Sequence, residues 1–454
     1  MSAELRAGTA CVDITPPLTI PYLGYVPRQS YFTGVHDPLH ARALVVQGQG
    51  EPVALIAADA IGFSSRVLGP GRHLRGELGE AIQRRCGIPS SRVMLAASHA
   101  HSTPETLDIT PLYEVEGAVA WAEGVCRRMA EAVAQARAGL QVARLKFGSA
   151  VVPGIALNRR EQLDADGMER SAGAGQPPAA RPGRLDEEVG VLLVELSDRS
   201  FSLVANFACH PVSVQVQPLV SADYPGVACR LVEQAVPECR HCLFTQGADG
   251  DINPQGGGGR ASFDDVGRYG QILGGAVLQI AGRLRAPEVP AMAPSADVAE
   301  EVIALPIRSL PDPEPYRQAA AAARAEAEAA GDDVARFAAH NRARLAAEVL
   351  RALELGSAPL RLPVQVLRLG DVALVGCPGE VFASLGLEIK QQAAAPHALV
   401  VGYANDYAGY LYPPIAATEG GYETSLGPWS RVAPEGGRMV VDAGLRLVHR
   451  LWRG

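Results

Sequence analysis

Short apolar runs rich in β-branched residues recur along the whole sequence and constrain its fold more than any other feature. They have the length of buried strands and cover residues 41–46, 53–57, 92–96, 192–196, 203–207, 364–369, 372–375 and 398–402. Amphipathic helical patterns lie between them, for example over 72–85 and 118–137. Several runs follow one another through short turns, which the 48 glycines and 34 prolines supply. We therefore predict an α/β fold in which mixed β-sheets are sandwiched and flanked by helices.

The composition excludes several classes of protein. The 454 residues carry 41 basic and 49 acidic side chains, which disfavours a nucleic-acid partner because such a partner demands a basic surface. No apolar run reaches the roughly 18 residues that a membrane helix needs. The eight cysteines are too scattered for a disulfide framework. The amino terminus shows no signal-peptide pattern of a basic segment followed by an apolar one. We therefore expect a cytoplasmic protein without a membrane span.

The sequence contains no internal repeat and no interdomain linker, which predicts a single domain over residues 1–454. Two segments have the character of insertions. Residues 164–183 are rich in Gly, Ala, Pro and charge without periodicity, which predicts a mobile loop. Residues 314–355 are dominated by Ala, Glu and Arg with a break at Gly331, which predicts a helical hairpin.

Three of the apolar runs end in residue types that bind metal ions. The third, fifth and seventh runs lead into His99, His210 and Glu380, respectively. His101 lies two residues after His99, so that in an extended segment both imidazoles point to the same side. Two histidines and a carboxylate are the ligand types of a catalytic zinc, which keeps one coordination position open. The sequence therefore predicts that strands far apart in the chain bring these ligands to one metal centre.

A set of longer motifs runs in order from near the start of the sequence to near its end. They are 8–17 (GTACVDITPP), 34–43 (GVHDPLHARA), 99–102 (HAHS), 158–159 (NR), 210–211 (HP), 250–254 (GDINP), 378–380 (PGE), 405–411 (NDYAGYL) and 422–423 (YE). This ordered set resembles the catalytic, N-terminal domain of the neutral/alkaline non-lysosomal ceramidase family. The chain looks like a short, bacterial-type relative without the carboxyl-terminal immunoglobulin-like domain of the long members.

The resemblance implies roles for particular residues. The residues that match the family's zinc ligands are His99, His210, Glu380 and Tyr410. The residues that match polar groups lining its active site are His101, Arg159 and Tyr422. The ligand role of Tyr410 rests on the likeness alone, because spacing by itself makes Tyr407 and Tyr410 core or pocket residues.

The chain departs from the family's pattern at two positions. Asn253 replaces the serine that is the family's candidate nucleophile, and Thr103 replaces the glycine after the HAHS motif. A carboxamide cannot be activated by a neighbouring base to attack an acyl carbon. If the protein is a hydrolase, metal-activated water is the expected nucleophile, and acceptance of ceramide is an open question.

Other residues invite chemical interpretations that the sequence supports less well. Asp249 and Asp251 could form a calcium or magnesium loop, but a plain turn is favoured because the remaining oxygen ligands of a calcium loop are not at the required spacing. Ser102 lies beside the histidines without the Gly-x-Ser-x-Gly elbow of a serine hydrolase. Cys239 and Cys242 form an isolated pair for which packing is the favoured interpretation. His36 and His40, which flank Asp37, are a further candidate metal site.

The favoured function is a zinc-dependent amidohydrolase that cleaves a linear, small-molecule or lipid-like N-acyl amide. In this hypothesis His101 transfers a proton, whereas Arg159 and Tyr422 stabilise the oxyanion or hold the substrate. Acyl transfer or amide formation in a biosynthetic pathway is an alternative, because it passes through the same tetrahedral intermediate. A non-catalytic binding protein stabilised by zinc is the third hypothesis. The sequence leaves the oligomeric state, the acyl chain and the amine open.

Overall fold

The computed structural model describes residues 4–22, 30–162, 184–214, 217–255 and 262–453. Its strands are β1 Arg6–Asp13, β2 Gly34–Val35, β3 His40–Gln47, β4 Val53–Ala58, β5 Val93–Ala97, β6 Gln141–Val151, β7 Ala156–Asn158, β8 Glu188–Leu196, β9 Phe201–Phe207, β10 Leu219–Val220, β11 Cys239–Gln246, β12 Ile252–Pro254, β13 Ala296–Leu305, β14 Leu360–Leu369, β15 Val372–Gly376, β16 Glu380–Val381, β17 His397–Val401 and β18 Tyr410–Leu411. Every apolar run of the sequence falls on one of these strands, so the strand predictions are confirmed.

The helices lie between the strands as the amphipathic patterns predict. They are α1 Leu74–Cys86, α2 Ala118–Ala138, α3 Asp223–Ala235, α4 Phe263–Leu284, α5 Glu314–Ala329, α6 Asp333–Glu354, α7 Ala383–Gln392, α8 Pro414–Glu419 and α9 Gly436–Arg453. Short 3-10 turns cover Ser90–Arg92, Leu112–Glu114, Arg159–Gln162 and Tyr422–Thr424. None of the helices within the described ranges combines the length and apolarity needed to cross a bilayer.

Within the described residues, the larger sheet has eight strands in the order β11-β9-β8-β6-β1-β3-β4-β5. Its neighbouring strands are antiparallel except for the outermost pairs, β11 with β9 and β4 with β5, which are parallel. β1 and β6 pair through their first residues, and β1 then approaches β9 and β11, since Thr9 Oγ1 lies 2.9 Å from both Ser202 Oγ and His241 Nδ1. The sheet therefore bends, and the segments after β5 and β9 meet where the His101 N–H donates to the Pro211 carbonyl at 3.3 Å.

A second sheet, with the order β13-β14-β15-β17, packs on one face of the larger sheet. Leu44 and Val46 of β3 point into the layer between the sheets, whereas Val45 points to the opposite face. The alternation follows from the two-residue period of a strand. Leu367 and Leu374 fill the same layer from the smaller sheet. Burial of each such side chain contributes about 1.5–3 kcal/mol relative to exposure, so this layer holds the two sheets together.

Helices cover the outer faces of both sheets. α1 and α2 pack on the β1-β3-β4 part of the larger sheet, α3 and α4 on its β8-β9-β11 part, and α7 and α9 on the smaller sheet. The layer order is thus helices, sheet, sheet, helices. The predicted α/β class, with mixed sheets sandwiched and flanked by helices, is confirmed.

The structure describes one of the two segments that the sequence marks as insertions. Residues 314–355 hold α5 and α6, which pack against each other and are joined by a salt bridge between Glu326 and Arg342. Asp332 caps α6 by accepting from the Ala335 N–H at 2.8 Å. The predicted loop over 164–183 lies outside the described residues. The single domain over residues 1–454 stays a prediction.

Candidate metal centre

His99 follows β5 at the point where the chain leaves the larger sheet. Its backbone is left-handed, with φ of +65°, a conformation that residues other than glycine adopt at a cost. The backbone N–H donates to the Ala60 carbonyl at 2.8 Å, and Nδ1 lies 2.6 Å from the carbonyl oxygen of Ile61. Because a carbonyl oxygen only accepts, Nδ1 carries the ring proton. The lone pair of His99 is therefore on Nε2, the metal-binding atom.

His210 reaches the same place from the end of β9. Its Nδ1 lies 2.7 Å from the Asp249 carbonyl oxygen and 3.0 Å from that of Ile252, so that Nε2 again has the lone pair. The Asp249 carboxylate lies 3.3 Å from the same Nδ1 and accepts a hydrogen bond from the hydroxyl of Tyr403 at 2.8 Å. These contacts fix both the orientation and the tautomer of the ring.

Glu380 follows the turn that ends β15 and begins the short strand β16. Its N–H donates to the Gly409 carbonyl at 2.9 Å, and it pairs with Tyr410 across β16 and β18. A Cβ atom on Gly250 would lie 2.5 Å from the Glu380 carbonyl oxygen. The GDINP motif therefore needs glycine at its first position, because that backbone packs directly on the turn that carries Glu380.

The ring nitrogens of His99, His101 and His210 lie within 4.8 Å of one another. The Nε2 atoms of His99 and His101 are 3.0 Å apart. Glu380 Oε2 lies 3.2 Å from His210 Nε2 and 3.7 Å from His99 Nε2. All four side chains are buried, at 1–4% exposure. Burial lowers the pKa of His99 and of His210 from 6.5 to about 3, so both imidazoles are neutral at neutral pH.

This donor set fits a divalent cation. Converging lone pairs on neutral imidazoles repel one another, and a carboxylate at the same point adds a negative charge in a buried space. A cation at that point would satisfy all of these groups at once. Imidazole and carboxylate ligands suit zinc, and the carbonyl acceptors on Nδ1 are the usual outer partners of zinc-binding histidines.

Three tyrosines surround the carboxylate and one imidazole. The ring of Tyr403 stacks on His99 with centroids 3.8 Å apart. The hydroxyl of Tyr407 donates to Glu380 Oε1 at 2.5 Å. Tyr410 lies beside Glu380 on the neighbouring strand, and its hydroxyl accepts from Arg159 Nη2 at 2.9 Å. Tyr407 thus makes the shorter of two phenol hydrogen bonds to the predicted carboxylate ligand, since the Tyr403 hydroxyl lies 3.5 Å from Glu380 Oε2.

Arg159 is held from several sides next to this cluster. Its Nε donates to Glu423 Oε1 at 2.7 Å and its Nη1 to Asn253 Oδ1 at 3.2 Å. Glu423 is fully buried; burial alone would raise its pKa, but Arg159 and Arg160 more than offset this and lower it. Tyr422 packs its ring against that of Tyr410, with centroids 5.9 Å apart. A cationic donor and two phenols therefore border the histidine cluster.

The structure brings the predicted site residues into one neighbourhood. His99, His101, His210 and Glu380 converge directly, whereas Arg159 and Tyr422 join the cluster through Tyr410. The roles assigned to these residues stay predictions. His101 lies as close to His99 as a fellow ligand would, although its predicted role is proton transfer alone.

The contacts of Tyr403, Tyr407, Asp249 and Glu423 were not predicted from the sequence. Asp249 follows the apolar strand β11 just as His210 follows β9, and this repeated pattern was the available signal. Other candidates make structural contacts: the carboxylate of Asp37 accepts from Ser221 and Arg230. Cys239 and Cys242 are buried free thiols in β11.

Comparisons with known proteins identify relatives of this chain. A sequence model of the neutral/alkaline non-lysosomal ceramidase N-terminal region matches residues 5–265, more than half of the chain. The chain is 26% identical over 245 residues to a neutral ceramidase of Drosophila melanogaster, which covers 52% of this chain and 33% of that one. A neutral ceramidase of Pseudomonas aeruginosa is 36% identical over 103 residues, or 20% of this chain and 15% of its own. The chain thus spans a third or less of these curated relatives.

Two solved structures share the fold over nearly the entire chain. The crystal structure of the Pseudomonas aeruginosa neutral ceramidase superposes with a TM-score of 0.69 at 20% identity, covering 99% of this chain and 75% of that one. A ceramidase complexed with C2 gives a TM-score of 0.72 at 18% identity, covering 100% of this chain and 76% of that one. At such identities the likeness establishes the fold alone.

Proposed function

Because this chain belongs to the neutral/alkaline non-lysosomal ceramidase family, we propose that it is a zinc-dependent hydrolase of linear N-acyl amides, with ceramide as the first substrate to test. The observation that carries the proposal is the buried convergence of His99, His101 and His210 on Glu380. Histidine and carboxylate donors are typical of catalytic zinc, whereas structural zinc is usually enclosed by cysteines. We therefore favour catalysis over a zinc-stabilised binding role.

In the proposal, the zinc ligands are His99, His210, Glu380 and Tyr410. Zinc bound there would lower the pKa of a water molecule toward about 7 and polarise the acyl carbonyl. The strand pairing of Tyr410 with Glu380 supports this assignment. The carbonyls on Nδ1 of both histidines hold the rings in the ligating orientation.

The chain's own residues move the proton and hold the substrate. His101 accepts a proton from the attacking water and returns it to the amide nitrogen, which leaves as the amine. The water oxygen stays in the carboxylic acid product. Arg159, anchored by Glu423, and Tyr422 orient the acyl oxygen and stabilise its developing negative charge. Asn253 accepts a hydrogen bond from Arg159 at 3.2 Å. Since a carboxamide does not serve as the nucleophile, we assign Asn253 the role of supporting the guanidinium.

Substitution of a zinc ligand tests the proposal. His99→Ala and His210→Ala should each lose bound zinc and amide hydrolysis, because a single deletion leaves an incomplete donor set. His340→Ala, an exposed histidine of α6, is the matched control and should keep both. Zinc is measured by elemental analysis, and turnover by mass spectrometry over ceramide and shorter N-acyl amines. Full zinc content and activity in His210→Ala would contradict the proposal.

The same assay addresses acyl transfer. Excess free amine is added with the N-acyl substrate, and the products are identified by mass. Release of free acid alone supports hydrolysis, whereas transfer of the acyl group to the added amine would replace hydrolysis with the transferase alternative.

A further inference from the structure

A small cleft lies beside the histidine cluster, on the other side of Tyr407. Its cavity of about 70 Å³ is bounded by the residue that follows α6, by the start of β14 and by the segments around residues 64–66, 107–108, 406–408 and 428–431. The charged residues that line it are Arg66, Asp108, Asp406 and Arg431, and its apolar wall includes Leu360. The cavity has room for a few water molecules or for one tetrahedral oxyanion of similar size.

The two carboxylates of the cleft already have partners. Asp108 is bonded by Arg66 Nε at 2.9 Å and by Arg351 Nη2 at 3.3 Å. Asp406 accepts from the backbone N–H groups of Ser65 and Tyr407 at 2.9 and 2.8 Å. Neither forms a salt bridge with Arg431 among the contacts of the described residues.

Arg431 is therefore a buried guanidinium that forms no salt bridge in the part of the chain that the structure describes, although Asp108 lies near enough to attract it. It is only 6% exposed. Its Nη2 donates to the Gly356 carbonyl at 3.3 Å, whereas its buried Nε has no hydrogen-bond partner among the described residues. Burial, followed by repulsion from Arg66, outweighs the attraction of Asp108 and lowers the pKa of Arg431 to about 10, which still leaves it charged at neutral pH. A buried cation of this kind is costly unless an anion pairs with it.

We propose that this cleft is an oxyanion-binding site that takes a phosphate group, held by Arg431 and Arg66. Guanidinium groups bind phosphate through paired, charge-assisted hydrogen bonds, and both lining arginines present such donors to a cavity of suitable size. The ligand is either free phosphate or the phosphate of an alkyl ester, whose chain would lie on the apolar wall. The site is separate from the proposed zinc centre and does not depend on the amidase activity.

Phosphate titration of the full chain by calorimetry tests the proposal with two opposite substitutions. Arg66→Gln, whose side chain is 48% exposed, should weaken phosphate binding by about tenfold because it removes a charge-assisted hydrogen bond. Asp108→Asn should strengthen binding by a similar factor, because it removes the carboxylate that competes for Arg66. Asp108 has φ of +63°, which asparagine tolerates.

The control is Arg446→Gln, which removes the same charge from an exposed pair with Glu301 and should leave phosphate affinity unchanged. A purely structural ion pair would instead lower the unfolding temperature in both cleft variants without changing phosphate affinity. That result, or the absence of saturable phosphate binding by the parent chain, overturns the proposal. Phosphate that binds at the zinc centre instead would have the same affinity in Arg66→Gln as in the parent chain. That result would also overturn the proposal.

Hexyl phosphate, run beside inorganic phosphate, identifies the source of the oxyanion. An alkyl ester that binds about tenfold more tightly, with the same dependence on Arg66, supports a lipid-type phosphate whose chain buries apolar surface on the cleft wall. Equal affinities support free phosphate as the ligand.

Discussion

The position of one proton determines what His99 and His210 can bind. In both rings Nδ1 donates to a backbone carbonyl, which leaves the Nε2 lone pair for a cation. The carboxylate beside them is oriented in the same manner, since Tyr407 donates to one oxygen of Glu380 while the other faces the imidazoles. Tyr407 is thus a positioning residue for the proposed zinc ligand.

Tyr407→Phe should weaken zinc binding by about tenfold, because outer hydrogen-bond partners of a ligand are typically worth 10–100-fold in metal affinity. The matched control is Tyr412→Phe, since the buried Tyr412 hydroxyl has no hydrogen-bond partner among the described residues. Zinc affinity is measured by competition with a chromogenic chelator. Equal affinities in the two variants would show that the Tyr407 hydroxyl does not orient Glu380.

At the scale of elements, a close backbone contact packs Gly409, the residue before β18, against Trp429. Gly409 has φ of +85°, and a Cβ atom there would lie 2.0 Å from the Trp429 carbonyl oxygen. Its own carbonyl accepts the Glu380 N–H. A side chain at this position would therefore push the Gly409–Tyr410 backbone away from Trp429 and shift the strand that pairs with Glu380.

Gly409→Ala should lower the free energy of unfolding by roughly 3 kcal/mol, because steric overlap adds to the cost of a left-handed alanine. Gly154→Ala is the control, with φ of +95° and no atom within 4 Å of the added Cβ. It should cost only about 1 kcal/mol. Urea unfolding measures both. Equal losses would mean that the contact with Trp429 carries no energetic weight.

The elements that the sequence predicts well are those whose signal is local. An apolar run of β-branched residues identifies β5, β9 and β15 wherever they pack, and the break after each run locates His99, His210 and Glu380. The contact of Tyr407 with Glu380 has no such signal, because it depends on how the chain after β17 crosses β16. Asp249 does have a local signal, its position after β11, but its contact with His210 also requires that β11 and β9 pair in parallel.

At the scale of the whole molecule, the proposed zinc centre connects the two sheets. His99 and His210 follow strands of the larger sheet, whereas Glu380 follows β15 of the smaller one. The bend of the larger sheet between β6 and β1 brings the first two together, and strand order alone would not predict it. A cation that binds only the folded arrangement stabilises it by about 2.7 kcal/mol when its free concentration is 100 times Kd.

This linkage should change little with pH in the mildly acidic range. Burial keeps the pKa of His99 and His210 near 3 in the metal-free fold, below the ordinary 6.5. Protons therefore do not compete with zinc for Nε2 until the pH approaches 3. In the unfolded chain both histidines protonate below 6.5, so that folded stability falls as the pH drops, but it falls equally with and without zinc.

The zinc-induced rise in unfolding temperature, measured against a chelated sample, should thus be nearly the same at about pH 7 and about pH 5. His210→Ala should show no rise at either pH, and a rise in the parent chain that disappears below about pH 6 would mean that zinc binds histidines of ordinary pKa elsewhere.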